Sequence, residues 1–345
     1  MENESEKKDY LLYLIDQIKK SNLPKLDSLK KEFLSIDHNL IIKILYYKFD
    51  DGFIIKDKSK SKYFILRKIR TSGSELSKII NTFEKLELLT SEKFFKFYHY
   101  LIEDDQDYNG KLIYILFEGG NNPMKQLNMK KNDLTYNEKL MIFINILFSM
   151  KILEINKIQL GNLIPENIYY FKQENSSQKL DVKLFGYKDI NDNIYSEKNN
   201  FYNYFAPEQL EDKSKSNIWS LGCILYELLF NDKLFPNKND ILNLKYEFDL
   251  ELEKKFQNIS EVIKIGEKSN EEGKNKNEEY DENLINFFKK VICHVKKRLT
   301  LDEVLHEKFV INILKENNYF YELIKDNFIE IGFKGGFYNE RMKSN

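Results

Sequence analysis

The feature that most limits what this chain can fold into is a single change of apolar rhythm along it. From about residue 40 to 70, short apolar runs alternate with polar turns: IIKILYY, GFIIK and YFILRKI. Such runs, bounded by turn residues, predict strands. FFKFYHYLI and KLIYILFE predict two more, after a helix near 75 to 90 with Leu76, Ile79, Ile80, Phe83 and Leu86 on one face. After Leu134 the rhythm lengthens to that of helices, most plainly in LMIFINILFSMKIL and IWSLGCILYELLF. Strands first and helices afterwards predict an α+β arrangement in two lobes: β-rich over residues 40–120 and mainly helical over 121–315.

Three segments fall outside that pattern. Residues 1–39 read as a helical extension, with Leu11, Leu12, Leu14, Ile15 and Ile18, then Leu26, Leu29 and Phe33, at helical spacing. Residues 266–283, GEKSNEEGKNKNEEYDEN, are nearly free of apolar side chains, so they are expected to form a solvated, mobile insertion. The tail 316–345 carries Phe328, Ile329, Ile331, Phe333, Phe337 and Tyr338, and is expected to pack back on the domain.

Composition narrows the partners. With 42% hydrophobic residues in 345 the chain can bury a substantial core. Its 54 basic and 55 acidic residues nearly cancel, which gives no footprint for nucleic acid or an anionic membrane. No 18-residue apolar run predicts a membrane span. Only two cysteines, Cys223 and Cys293, and a polar start fit an intracellular, cytoplasmic protein better than a disulfide-built secreted one. Lysine supplies almost all the positive charge; Arg67, Arg70, Arg298 and Arg341 are the only arginines.

Four short motifs then occur in a telling order. Pro165-Glu166-Asn167 comes first, followed by Ala206-Pro207-Glu208. Next is Asn217-Ile218-Trp219-Ser220-Leu221-Gly222, and last Arg298-Leu299-Thr300-Leu301-Asp302-Glu303, with Phe309 beyond it. Together they resemble the eukaryotic protein-kinase superfamily, from about residue 40 to 312. The resemblance implies a two-lobed kinase-like fold and a structural core of Glu208, Trp219 and Arg298. Within it, Glu208 and Arg298 would form a buried ion pair, for which a planar guanidinium is better suited than an ammonium.

The same resemblance implies a degenerate active site. Where the family has a glycine-rich phosphate loop, the chain reads Tyr47-Lys48-Phe49-Asp50-Asp51-Gly52, keeping only Gly52. Arg67 takes the place of the phosphate-binding lysine. Lys68, next along the strand, should face the other side of the sheet. Thr82 falls where a helix glutamate would pair with that lysine. In Leu160-Gly161-Asn162-Leu163-Ile164-Pro165-Glu166-Asn167, Asn162 replaces the catalytic aspartate and Ile164 the lysine that steadies the phosphoryl group. Asn167, a metal ligand in the family, is present. In VKLFGYKD the metal-binding aspartate aligns with Gly186 or, in a shifted register, with Leu184, and neither offers a carboxylate.

What this implies is a pseudokinase: a scaffold or allosteric regulator that binds a protein partner, perhaps an active kinase, with no cofactor and no metal. Phe117, Glu118 and Gly119 resemble the hinge that receives adenine, with Phe117 as gatekeeper. Together with Gly52, Arg67 and Asn167 they would give at most a weak, metal-independent ATP site. The alternative is an atypical active serine/threonine kinase in which Arg67 or Lys68, Asp189, and Asp50 or Asp51 take over the lost roles.

Overall fold

In a computed structural model of the chain, the structure describes residues 3–20, 34–35, 40–46, 51–89, 91, 93–105, 110–120, 125–127, 134–172, 180–185, 203–208, 213–244, 252–257 and 274–316. The stretches 21–33, 186–202 and 317–345 thus lie outside the described residues. With them go the expectations for Leu26, Leu29 and Phe33, for Gly186 to Asp189, and for the aromatic tail. The chain forms two units, Met1–Tyr202 and Asn203–Asn345.

In the first unit, six strands form one antiparallel sheet: β1 (Leu34–Ser35), β2 (Leu40–Tyr46), β3 (Asp51–Asp57), β4 (Lys62–Thr71), β5 (Lys96–Asp105) and β6 (Gly110–Gly120). Their order is β1-β2-β3-β4-β6-β5. Alternation along each strand sorts side chains onto two faces. On one, Ile42, Phe53, Ile55, Phe64, Leu66, Leu112, Tyr114 and Leu116 pack against helix α1 (Glu4–Lys20), whose Leu11, Leu14, Ile15 and Ile18 are buried. The i, i+3, i+4, i+7 spacing of those four makes the apolar stripe that covers the sheet. Polar contacts fasten the helix along its length. Tyr10 Oη donates to Asp57 Oδ2 at 2.6 Å, and Lys60 Nζ lies 3.8 Å from the Tyr10 ring centroid. Lys19 pairs with Glu103 at 3.3 Å.

Strand β5 breaks the alternation. Its register against β6 shifts between Phe97 and His99. Such a bulge turns part of a strand over. Phe97 and Tyr100, three apart, therefore both meet Phe83 of α2 (Gly73–Leu88), at 5.5 and 4.8 Å between ring centroids. Tyr98 faces the other way, against Tyr10 and Phe64 of the α1 cluster.

The rest of the unit is α3 (Tyr136–Ile155) and a small sheet of β7 (Lys125–Gln126), β8 (Ile168–Lys172) and β9 (Leu180–Leu184). Helix α3 starts at a capping box in which Thr135 and Glu138 satisfy each other's backbone N–H. Apolar on almost every side, it is buried from Ile142 to Met150. Its buried Asn145 accepts from Lys93 Nζ at 2.7 Å and donates to Met141 O at 2.8 Å, so no polar atom of that amide is stranded.

The second unit is helical: α4 (Lys213–Phe230), α5 (Lys238–Asn243), a helical turn at 252–257, α6 (Lys274–Val291), α7 (Leu301–Leu305) and α8 (Lys308–Glu316). Gly222 lets α4 and α6 approach closely, since a Cβ there would lie 2.7 Å from Ile292 Cδ1 and 2.8 Å from Val291 Cγ2. Because α6 begins at Lys274, the latter part of the polar stretch 266–283 is helical. Lys and Glu are good helix formers, and this segment leads straight into the buried face of Leu284, Phe287, Phe288 and Val291. The α+β class is thus realised as expected, with the strands in the first part of the chain. Among the described residues, no helix is long and apolar enough to cross a membrane.

Candidate active site

Of the positions expected to carry phosphoryl-transfer chemistry, Tyr47 to Asp50 and Gly186 lie outside the described residues; the others lie in the first unit, on β3, β4, α2, β6 and the loop before β8. Arg67 is fully buried on β4, with Gly52 opposite it in register on β3. It lies on the parity of Ile65 and Ile69, whereas Lys68 shares the parity of Phe64 and Leu66, which face α1. The Arg67 guanidinium lies over Phe185, whose ring centroid is 5.4 Å from Cζ.

Helix α2 brings no carboxylate to the inner side. Its buried positions are Ile79, Thr82, Phe83 and Leu86, while Glu75, Glu84 and Glu87 are exposed. The Thr82 hydroxyl donates to the Lys78 carbonyl oxygen at 3.1 Å, a bond internal to the helix.

The loop from Leu160 to Asn167 is buried and apolar at Leu163 and Ile164, and it ends in a 3-10 turn over Pro165–Asn167. Proline suits the first position of that turn because its φ is preset and no N–H is needed there. Asn167 closes the loop. Its N–H donates to Ile164 O and its Nδ2 to Asn162 O, each at 3.0 Å. Asn162 is buried, and as an amide it has no basic oxygen with which to take a proton from a hydroxyl.

Phe185 was not among the residues singled out from sequence. Its N–H donates to Asn167 O at 2.7 Å, just after Leu184 pairs with Ile168 across β8 and β9. The fully buried ring meets Phe117 edge-on at 5.0 Å and Phe95 at 6.0 Å. Phe117, Arg67 and Asn167 are therefore brought together, around an aromatic ring. The signal was present in KLFG, but only the β8–β9 register places that phenylalanine beside Asn167.

The hinge residues continue as strand. Glu118 lies opposite Phe64 and Gly120 opposite Tyr63, with a register shift between them, and Gly119 is buried. Glu118 forms an ion pair with Lys62 at 2.6 Å.

A magnesium–nucleotide complex, which the fold family implies, does not fit the described residues. Asn167 Oδ1 is a buried oxygen with no hydrogen-bond partner among them, so one neutral ligand atom is available. Across the β8–β9 pairing, the described residues next to Asn167 are Leu184 and Phe185, neither of which carries a carboxylate. No cluster of three or more His, Cys, Asp or Glu suited to a metal occurs among the described residues.

The second unit holds a different kind of site. Arg298 is fully buried and forms an ion pair with Glu208 through Nη1. Its remaining donors reach carbonyl oxygens: Nη1 to Lys215 at 3.0 Å, and Nε and Nη2 to Cys293 at 3.1 and 2.6 Å. The guanidinium also lies 5.0 Å from the Trp219 ring, which stacks on Phe235 at 5.3 Å. Nearby, Ser220 Oγ donates to Tyr204 O at 2.6 Å, and Tyr204 Oη to Glu227 at 2.5 Å. The segment 203–208 is thereby fastened to α4 and to the chain before α7. None of these groups is arranged for chemistry.

Comparison with known proteins agrees with this architecture. Residues 51–310 match the protein kinase domain. The chain is 26% identical over 194 residues to serine/threonine-protein kinase Nek3 of Oryza sativa subsp. japonica, covering 52% of this chain and 31% of that protein. It is 27% identical over 228 residues to serine/threonine-protein kinase Nek7 of Arabidopsis thaliana, covering 61% and 38%. Serine/threonine-protein kinase MPS1 of Encephalitozoon cuniculi (strain GB-M1) is 27% identical over 180 residues, covering 50% and 30%. The matched part spans about a third of each relative's length. With the family match extending over most of the chain, this protein belongs to the protein kinase domain family.

Proposed function

We propose that the chain is a pseudokinase, a kinase-family domain that works by binding protein rather than by transferring phosphate. The observation that carries this reading is the Phe185 ring, buried between Arg67, Phe117 and Asn167 where phosphoryl transfer needs charge and metal. Asn162 and Ile164 add to it, since neither can act as a base or steady a developing negative charge. The work left to such a domain is that of a scaffold or allosteric regulator in an intracellular setting, and its partner is a protein, with an active kinase the leading class. Helix α1 covers one face of the large sheet, so that face is not open to a partner.

A thermal-shift titration of the whole chain with ATP, with and without Mg²⁺, tests the reading. A ligand at 100 times its dissociation constant stabilises by about 2.7 kcal/mol. The expected result is no magnesium-dependent shift, and a strong one would overturn the proposal.

One observation favours a second reading: the relatives carry the names of serine/threonine-protein kinases. In that case the chain is an atypical active kinase in which Arg67 and Asn167 serve together with carboxylates from outside the described residues. It would appear as phosphate incorporation from ATP that Asn167→Ala abolishes.

A further inference from the structure

Among the described residues, helix α1 is fastened to the sheet by polar contacts of unequal strength. Near its ends, Glu4 meets His99 Nδ1 at 3.3 Å and Lys19 meets Glu103 at 3.3 Å, each pair with an exposed member. Ion pairs so open to water contribute little. Between them, Tyr10 Oη donates to Asp57, and Asp57 is buried. A buried carboxylate must be satisfied by donors, and the turn that joins β3 to β4 supplies most of these. Ser59 N–H donates at 2.8 Å, Ser59 Oγ at 2.6 Å and Lys60 N–H at 3.2 Å. Lys60 also closes over the same contact, its Nζ 3.8 Å from the Tyr10 ring centroid and 3.4 Å from Tyr98 Oη. One turn therefore holds both the carboxylate and the tyrosine that ties α1 to it. Ser59 is exposed in that turn, in the run KDKSKSK over 56–62, where every second residue is lysine.

We infer that Ser59 is a phosphorylation site and that a phosphate there loosens helix α1 from the sheet. The donor is ATP, and the enzyme is a separate serine kinase of the class that selects basic surroundings. The Ser59 Oγ–P bond forms, the bond from the γ-phosphorus to the ADP oxygen breaks, and the hydroxyl proton passes to that enzyme's base. Afterwards Oγ has no hydrogen to donate, and a group of about −1.5 to −2 charge stands beside the carboxylate that it used to satisfy. Repulsion at that range is weakly screened, because Asp57 is shielded from water. The phosphate also offers Lys60 a stronger partner than a tyrosine ring and draws its Nζ off Tyr10. Both effects weaken the one contact between Tyr10 and Asp57. Helix α1 then rests on its apolar stripe and its exposed end pairs, and it opens more often.

The test is amide hydrogen exchange in α1 of the full-length chain carrying phosphoserine at position 59. Exchange there should rise by about tenfold or more, the ratio expected on losing a hydrogen bond to a charged group, while α4 stays unchanged. Ser59→Ala, which removes the donor and adds no charge, should give a smaller rise. In Asp57→Asn, where no carboxylate is left to repel, the phosphate should change the rate by less than about threefold. A phosphoserine chain no faster than Ser59→Ala overturns the inference. So does an undiminished effect of the phosphate in Asp57→Asn, or an equal rise in α4, which would report general unfolding. Should the phosphoserine chain fail to fold, Ser59→Glu must exchange faster in α1 than Ser59→Ala, and equal rates are as fatal. The site itself is checked by treating the unmodified chain with ATP and a basic-directed serine kinase. Peptide mass spectrometry should find phosphate on Ser59, and its absence there overturns the assignment. None of these outcomes depends on whether the chain itself binds ATP, so the inference and the proposed function fail separately.

Discussion

Two fully buried arginines, one in each unit, stand in opposite kinds of surroundings. Arg298 has a carboxylate, two backbone carbonyl oxygens and an indole face within reach, so its charge is neutralised and its donors are used. Arg67 lies over Phe185, on a strand face whose helix partner offers Thr82 and no carboxylate. The difference teaches where charge still has a task in this protein. In the second unit it binds the 203–208 segment to the helices that follow. In the first, the described neighbours of Arg67 include the ring of Phe185, which in turn meets Phe117 and Phe95.

Breaking the Glu208 pair should give the largest effect. Arg298→Ala leaves the largely buried Glu208 carboxylate uncompensated and should cost about 3–5 kcal/mol of stability in denaturant titration. A cost near that of a surface substitution would erase the contrast between the arginines.

Leu14→Ala comes next, at about 2–5 kcal/mol, since Leu14 is fully buried between α1 and the sheet. It sharpens the comparison by giving the scale of pure apolar packing in the unit that lacks the ion pair.

Arg67→Lys keeps a cation at this position and should confer no response to Mg²⁺–ATP in a thermal-shift assay. A magnesium-dependent shift in that variant would overturn the reading of the first unit's site as unable to take the complex.

An effect that shows mainly in acid concerns a third buried charge, Asp57. Burial pushes its carboxyl up, but hydrogen bonds from Ser59, Tyr10 and the Lys60 backbone outweigh that and hold it below the ordinary carboxylate value. A carboxyl lowered in the folded state adds stability that is present above its unfolded value and lost as pH falls through the folded one. Melting temperature should therefore begin to fall as pH drops below about 4. In Tyr10→Phe, which removes one bond to that carboxylate, the acid-dependent loss should shrink, and stability at neutral pH should drop by about 1.5–3 kcal/mol or less. An unchanged pH profile in that variant would mean that Asp57 does not fasten α1.

Much of the fold could be read in advance from particular elements. IIKILYY, GFIIK, YFILRKI and KLIYILFE became β2, β3, β4 and β6, because a run of β-branched and aromatic residues between turns has few other stable outcomes. Leu11, Leu14, Ile15 and Ile18 likewise announced the buried stripe of α1, though not the sheet face that it covers. The β5 bulge was not legible, since strict alternation would have set Phe97 and Tyr100 on opposite faces. Nor was the helix over 274–283 legible, because low apolar content lowers the drive to pack yet does not prevent a helix anchored by its neighbour.

The sequence by itself determined which chemical groups this protein has: an asparagine at 162, an isoleucine at 164, a threonine at 82 and an arginine at 67. No arrangement in space can make a base of an amide or a phosphate-steadying cation of an aliphatic chain. Only the tertiary structure decided what those positions touch. The pairing of Arg298 with Glu208 was already implied by the motifs that carry them, whereas the seat of Arg67 over the Phe185 ring depends on side chains brought together from far along the chain. Glu208 and Phe185 were equally plain in the sequence, and it took strand register to set Phe185 beside its arginine.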